Sequence, residues 1–119
     1  MPNLNAALLV AQLEQLDTFL NSKRKLAIQY KEFFANKRVD FVTGIEGAKS
    51  NYWLNALILD NLEQRDLFLE VANAAGVMTR PTWTLMSKLP MFKDCQKCNL
   101  SNAEWLEDRA VNIPGSVIM

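Results

Sequence analysis

The segment around Arg80 carries the residue types best suited to binding an anionic ligand. Arg80 presents a planar guanidinium that can pair with a phosphate or a carboxylate through two parallel hydrogen bonds. Trp83 adds a flat ring for stacking, and Pro81 keeps the backbone between the two extended. A surface arginine beside a core tryptophan would show the same pattern, so the segment indicates a ligand site without requiring one.

A second candidate site lies where the strongest predicted strand begins. Asn51, Tyr52 and Trp53 lead into that strand, and Trp53 and Asn55 fall on its less apolar face. Amide and aromatic side chains at the mouth of a strand can hold a sugar or a base. A strand that starts at the protein surface is the equally good alternative.

Several kinds of chemistry are excluded by what the sequence lacks. There is no histidine, the commonest general base and the commonest zinc ligand. Cys95 and Cys98 are the two cysteines, and a zinc site would need two more ligands. They fall in a predicted loop, whereas a redox dithiol places its first cysteine at the start of a helix. We expect incidental thiols in a reducing cytoplasm, with a redox or metal role as the alternative, and no catalytic or metal-binding residue in this chain.

Composition narrows the possible partners. The 119 residues are 50% hydrophobic and 22% charged, as in one ordered globular domain. Thirteen basic and thirteen acidic residues give zero net charge, which argues against binding nucleic acid or an anionic membrane. The longest apolar run, residues 6–11, is far shorter than the roughly 20 residues a membrane span needs. The uncharged start argues against a secretory signal.

The first 35 residues predict one long helix. Leu9, Leu13, Leu16 and Leu20 recur at helical spacing. About 33 helical residues would extend roughly 50 Å, and a compact domain of this length is about 35 Å across, so the helix should overhang its domain. Leu4 and residues 6–11 make the opening of the helix apolar on every side, and such a segment is normally buried. We expect a partner subunit, or sequence absent from this chain, to cover it.

The rest of the chain has the short elements of an α+β unit. Strands are predicted at 40–42, 52–59, 77–79 and 111–113, with helices at 61–75 and 101–109. Asn3 or Asn5 should cap the long helix, Asp60 or Asn61 the next, and Ser101 the last through a capping box with Glu104. The basic run Lys23–Lys25 is expected on a solvated helix surface. The predicted organisation is a long bridging and dimerisation helix at 1–36 and a small sheet packed with two helices at 37–119.

Four stretches of the chain, residues 1–7 with 11–16, then 51–56, 79–86 and 111–114, form an ordered set. In this order they resemble the C-terminal part of PLP-dependent sugar-nucleotide aminotransferases of the DegT/StrS type. The last three segments resemble the subgroup of enzymes that aminate 4-keto-6-deoxy sugar nucleotides for legionaminic-acid or bacillosamine-type sugars. The family resemblance covers nearly the whole chain. Two departures stand out: Leu9 replaces the usual glycine and Gly115 the usual serine.

The resemblance implies an aspartate-aminotransferase fold, of which this chain would be the C-terminal small domain. The intact enzyme would be a cytoplasmic homodimer that carries an amino group, taken from a donor such as glutamate, to a keto-sugar nucleotide for polysaccharide or amino-sugar biosynthesis. The PLP lysine of that family lies in a large N-terminal domain, so this chain alone should hold no PLP and be inactive. Substrate contact is expected from Asn51, Tyr52, Trp53, Arg80 and Trp83, and interface contact from Asn3, Asn5, Leu9 and Leu13. A stand-alone module that dimerises through its apolar helix is the alternative.

Overall fold

The computed structural model describes residues 2–117 and shows an α+β fold, as predicted. Within residues 2–117, four helices and four short strands are joined by loops and two 3-10 turns. The helices are α1 (Asn3–Glu14), α2 (Leu16–Phe34), α3 (Leu62–Ala74) and α4 (Ser101–Glu107). The strands are β1 (Asp40–Phe41), β2 (Asn55–Ile58), β3 (Arg80–Pro81) and β4 (Ala110–Ile113). The 3-10 turns are Met86–Lys88 and Pro90–Phe92.

The sheet is antiparallel throughout, in the order β1-β2-β4-β3. Its core lies on one face, where Leu57 and Leu59 of the β2 segment meet Val111 and Ile113 of β4. The helices α2 and α3 cover this face with large side chains. Those packed against the core from the two helices are Tyr30, Phe34, Phe68 and Leu69.

The predicted single N-terminal helix is in fact two helices. The helical hydrogen bonding breaks at Gln15, where φ is −103° and ψ is 2°. The molecule's longest axis is 43 Å, shorter than the roughly 50 Å of a straight helix of 33 residues. The leucine spacing was read correctly as helical, but spacing alone contains no signal for a one-residue break. The predicted cap at Asn3 or Asn5 was also wrong, because α1 starts at Asn3 and no side chain caps it.

Helix α1 projects from the rest of the fold. None of its residues is buried, although it carries five large apolar side chains. The radius of gyration is 17.6 Å, against about 13.5 Å for a compact chain of this length. The expected overhang is therefore confirmed for α1, while α2 is part of the small-domain core. The exposed large apolar residues are Leu4, Leu8, Leu9, Val10 and Leu13.

Other element boundaries were predicted with mixed success. Asn61 caps α3 as predicted, its side chain accepting from the Gln64 N–H at 2.9 Å. The capping box at Ser101 is wrong: α4 has no side-chain cap of its own, and the Asn99 side chain instead accepts the Ser101 N–H at 2.9 Å. The third strand lies at Arg80–Pro81 rather than 77–79, because residues 77–79 bond back to α3 instead of to β4.

In the part of the chain that the structure describes, no helix is long and apolar enough to cross a membrane.

Candidate functional site

The mouth of β2 is a tight turn rather than the start of a longer strand. Trp53 donates its N–H to the Asn51 side chain at 3.0 Å, and Tyr52 donates its N–H to the Ser50 hydroxyl at 3.0 Å. Tyr52 has a φ of 47°, in the left-handed region that aromatic residues rarely adopt. Backbone strain of this kind is concentrated at functional sites and persists only where surrounding contacts enforce it.

Helix α2 supplies those contacts. Arg24 donates from Nε to the Ser50 carbonyl at 3.1 Å, and Lys23 donates to the Gly115 carbonyl. Tyr30 donates its hydroxyl to the Pro114 carbonyl at 3.1 Å, and burial raises the pKa of this tyrosine. The prediction of a solvated Lys23–Lys25 surface is therefore wrong for two of the three residues. Their long side chains reach carbonyl groups that no strand pairs with, which local sequence patterns do not reveal.

The ring of Tyr52 lies on the core side of the sheet. It stacks on Phe41 with ring centroids 6.3 Å apart and planes 16° from parallel. Simple alternation had placed Tyr52 on the opposite face, together with Ala56 and Ile58. The positive φ reverses the side-chain direction, so alternation holds only from Asn55 onward.

Asn55 is the most unusual polar residue of the site. It is 1% exposed, so the face predicted to be less apolar is in fact the buried one. Its Nδ2 donates to the Pro114 carbonyl at 3.4 Å, whereas its Oδ1 is buried without a hydrogen-bond partner. Gly115 packs closely here, since a Cβ at that position would lie 3.1 Å from Asn55 Nδ2. Gly115 therefore leaves room for the asparagine side chain.

Arg80 and the β2 mouth share one end of the sheet. Arg80 pairs with Asn112 of β4, which pairs with Ala56 of β2, so the three side chains lie in one row on the face opposite the core. The Arg80 side chain is exposed, and one of its Nη atoms lies 3.7 Å from the sulfur of Met78. The guanidinium is accordingly open to a ligand approaching this end.

Trp83 lies toward the other end of the sheet. Continued past the strand ends, the registers put the Trp53 backbone level with Gly115 and the Trp83 backbone beyond Ala110, roughly 20 Å apart along the strand direction. Trp83 is 70% exposed, so it is not the core tryptophan of the alternative interpretation. It lines an apolar cleft of about 310 Å³ with Ala56 and with Leu106 of α4. Ala56 is in the same row as Arg80, so the cleft that Trp83 lines begins beside that row and extends toward the other end of the face.

A polar clamp fixes the segment after Trp83. Glu107, with a side chain 11% exposed, accepts the Leu85 N–H at 3.0 Å and forms an ion pair with Lys88. The hydrogen bond from Lys88, reinforced by the Leu85 N–H, holds the pKa of the Glu107 carboxyl below its usual value, and the same hydrogen bond raises the pKa of Lys88. The clamp anchors residues 85–88 to α4.

Cys95 and Cys98 are free, exposed thiols in the loop before α4. They line a mostly apolar cavity of about 520 Å³ together with Phe92 and Leu100. Among residues 2–117, no group of three or more Cys, Asp or Glu side chains is placed to hold a metal ion.

The described residues do not fit PLP. A lysine that carries this cofactor must face a sheltered cavity, beside an acid for the ring nitrogen and donors for the phosphate. No lysine between residues 2 and 117 is buried, and the half-buried Lys23 is engaged by the Gly115 carbonyl. We derive no cofactor chemistry from this chain.

The predicted interface residues all lie on α1. Asn3 and Asn5 are exposed, Leu9 is 47% exposed and Leu13 is 57% exposed. Together they present a surface that the rest of the described chain does not cover.

The fold and sequence define the class of protein. The profile of the DegT/DnrJ/EryC1/StrS aminotransferase family matches residues 1–119, and the chain belongs to that family. The chain is 29% identical over 117 residues to GDP-perosamine synthase from Vibrio cholerae, covering 96% of this chain and 32% of that protein. It is 30% identical over 115 residues to the GDP-perosamine synthase of Escherichia coli O157:H7, covering 96% and 31%.

A solved structure shares the fold. A protein described as a sugar aminotransferase from Streptococcus pneumoniae, in its PLP form, superposes with a TM-score of 0.87. That comparison covers 98% of this chain and 31% of the solved one, at 20% identity. This chain therefore spans about a third of the length of the proteins that it matches.

Proposed function

We propose that this chain is the C-terminal small domain of a PLP-dependent aminotransferase that aminates a 4-keto-6-deoxy sugar nucleotide. The family match over residues 1–119 is the observation that carries the proposal. The two relatives are GDP-perosamine synthases by name, which supports a nucleotide-linked amino sugar as the product. Glutamate is the amino donor that we expect, and a large N-terminal domain would supply PLP and its lysine.

In this proposal α1 is the bridge to the missing domain and to the second subunit. Its five exposed apolar side chains would be removed from water on docking, and apolar burial is the main driving force for association. Under the proposed division, residues 1–36 would dock on other protein and residues 37–119 would shape the substrate cleft. Helix α2 lies within the first range, but it packs on the core of the small domain. The amides of Asn3 and Asn5 would lie near the cofactor end of the dimer interface.

The small domain would contribute its substrate contacts at one end of the sheet. Arg80 would pair with the diphosphate of the nucleotide, and Asn51, Tyr52 and Trp53 would line the sugar or the base. Trp83 would contact the substrate only if the ligand extends across the outer face, given its place toward the other end.

The decisive experiment compares two expressed proteins. One is this 119-residue chain alone, and the other is the longer product of this reading frame with the genomic sequence immediately upstream. The longer product should retain an absorbance band near about 420 nm, typical of a Schiff base of this cofactor, and should transfer the amino group of glutamate to a keto-sugar nucleotide. The 119-residue chain alone should lose PLP on dialysis. An upstream sequence without a large domain, combined with a stable dimer of this chain alone, would favour the stand-alone dimerisation module instead.

Arg80 can be tested in the longer product. Arg80→Ala should raise the Michaelis constant for the sugar nucleotide about tenfold, the loss typical of one charge-assisted contact. The matched control is Arg38→Ala, an exposed arginine elsewhere on the chain, which should leave the constant unchanged. Equal constants for Arg80→Ala and the wild type would remove Arg80 from the proposed site.

A further inference from the structure

A cavity between α2 and the loop at residues 43–52 collects positive charge. Its volume is about 390 Å³, within the range of small-ligand sites. Arg24, Ile28 and Lys31 line it from α2 at helical spacings of four and three residues, which puts them on one stripe of the helix. Lys49 and Tyr52 line it from the loop.

The charges in this cavity are unbalanced. Its lining residues include three cationic side chains and no carboxylate. Glu32 and Glu46 are near in sequence but are not part of the lining. Within residues 2–117 the ion pairs are Arg65–Asp66 and Lys88–Glu107, so the cavity cations have no acidic partner there. In a chain of zero net charge, such a concentration of one sign favours an anionic ligand.

The cavity is also built rather than incidental. Arg24 is fixed because its Nε donates to the Ser50 carbonyl at 3.1 Å, which leaves its two Nη groups for another acceptor. Tyr52 is fixed by its stacking on Phe41 and by its N–H bond to Ser50. The loop closes through a turn at residues 45–48, where Gly47 has a φ of 78° that favours glycine. Arg24 of α2 therefore holds the loop at Ser50, between the cavity residues Lys49 and Tyr52.

We propose that this cavity binds a phosphate or diphosphate group. Arg24 would offer its planar fork to phosphate oxygens, Lys31 and Lys49 would act as point charges, and the Thr43 and Ser50 hydroxyls would add donors. The inference rests on the cavity's own residues and holds whether or not the proposed aminotransferase function is correct. Arg80 is not among the lining residues, so this cavity is a second anion site, separate from the one proposed at Arg80. Its ligand chemistry is shared by free pyrophosphate and by the diphosphate of a nucleotide.

The test is calorimetric titration of the 119-residue chain with inorganic pyrophosphate at low ionic strength. The double variant Lys31→Gln/Lys49→Gln should weaken binding at least about tenfold, whereas the control Lys25→Gln/Lys37→Gln should change it less than about twofold. Both variants remove two exposed lysines, but Lys25 and Lys37 do not line the cavity. Arg24 is left intact because its loss would also release Ser50.

Equal weakening in the two double variants would overturn the proposal, since it would show a non-specific attraction. An absence of wild-type binding up to about 10 mM, where binding free energies are only a few kcal/mol, would overturn it as well. Near-ultraviolet circular dichroism checks that each variant keeps its fold, and single Lys31→Gln and Lys49→Gln variants replace any that does not. A second titration with GDP and UDP identifies the source: tighter binding than pyrophosphate indicates a nucleotide, and equal binding indicates a free oxyanion.

Discussion

Asn55 provides the sharpest test of the packing at the β2 mouth. Replacing it by leucine keeps the branching of the side chain and removes the buried Oδ1, which has no hydrogen-bond partner. An unsatisfied buried polar group costs about 1–3 kcal/mol. The bond lost in exchange is the long one from Nδ2 to the Pro114 carbonyl, at 3.4 Å, and that carbonyl keeps its bond from Tyr30.

The expected net effect of Asn55→Leu is a stabilisation of about 1 kcal/mol. The loss of the weak hydrogen bond offsets part of this gain, and the larger leucine must fit beside Gly115. The expected stabilisation is therefore below the upper end of the range. For a domain of this size the melting temperature should rise by about 4 °C. Urea unfolding followed by near-ultraviolet circular dichroism measures the change.

Two matched variants make the result interpretable. Asn112→Leu alters the same residue type in the adjacent strand, on the opposite and half-buried face, and should change stability by less than about 0.5 kcal/mol. Asn55→Asp buries a charge and should destabilise by about 3 kcal/mol or more at neutral pH. A loss of 1 kcal/mol or more in Asn55→Leu would refute the reasoning, because it would show that Oδ1 is satisfied in solution.

Three further predictions concern single contacts. Asn61→Ala should destabilise by about 1 kcal/mol, as expected for a lost helix cap, while the exposed Asn102→Ala in α4 should be near neutral in the same urea titration. Tyr30→Phe should cost about 1 kcal/mol by the same measurement, because it removes the hydroxyl bond to the Pro114 carbonyl. The pKa of Glu107 is lowered on folding, so its contribution to stability is complete above its usual value and is lost on acidification; Glu107→Gln should flatten the stability profile between about pH 5 and 3, and an unchanged acid limb would contradict this.

The secondary structure was largely predictable because each element carries a local signal. The helical leucine spacing and the Asn61 cap are read directly from the sequence. The break at Gln15 was not, because no glycine or proline marks it. Its backbone conformation lies in a bridge region open to any residue.

The sequence predicts which residues could form the candidate site, but it does not predict how they are placed relative to one another. Strand register decides that Arg80 lies level with Ala56 and that Trp83 is carried toward the far end of the sheet, and register is a non-local property. The positive φ of Tyr52 has no sequence signal either, since aromatic residues disfavour it. The cationic cavity lies between α2 and a loop about 20 residues later in the chain. Its three charged residues are therefore too far apart in sequence to form a recognisable motif.

The central claim is that α1 presents its apolar surface for docking on protein outside this chain. Sedimentation equilibrium of the 119-residue chain, beside a Leu8→Glu/Leu13→Glu variant, tests it most directly. The account predicts that the wild type self-associates with rising concentration and that the variant is monomeric, with near-ultraviolet circular dichroism of the small domain unchanged in both. A wild-type chain that stays monomeric at all concentrations, with the amides of α1 protected from hydrogen exchange, would contradict the account.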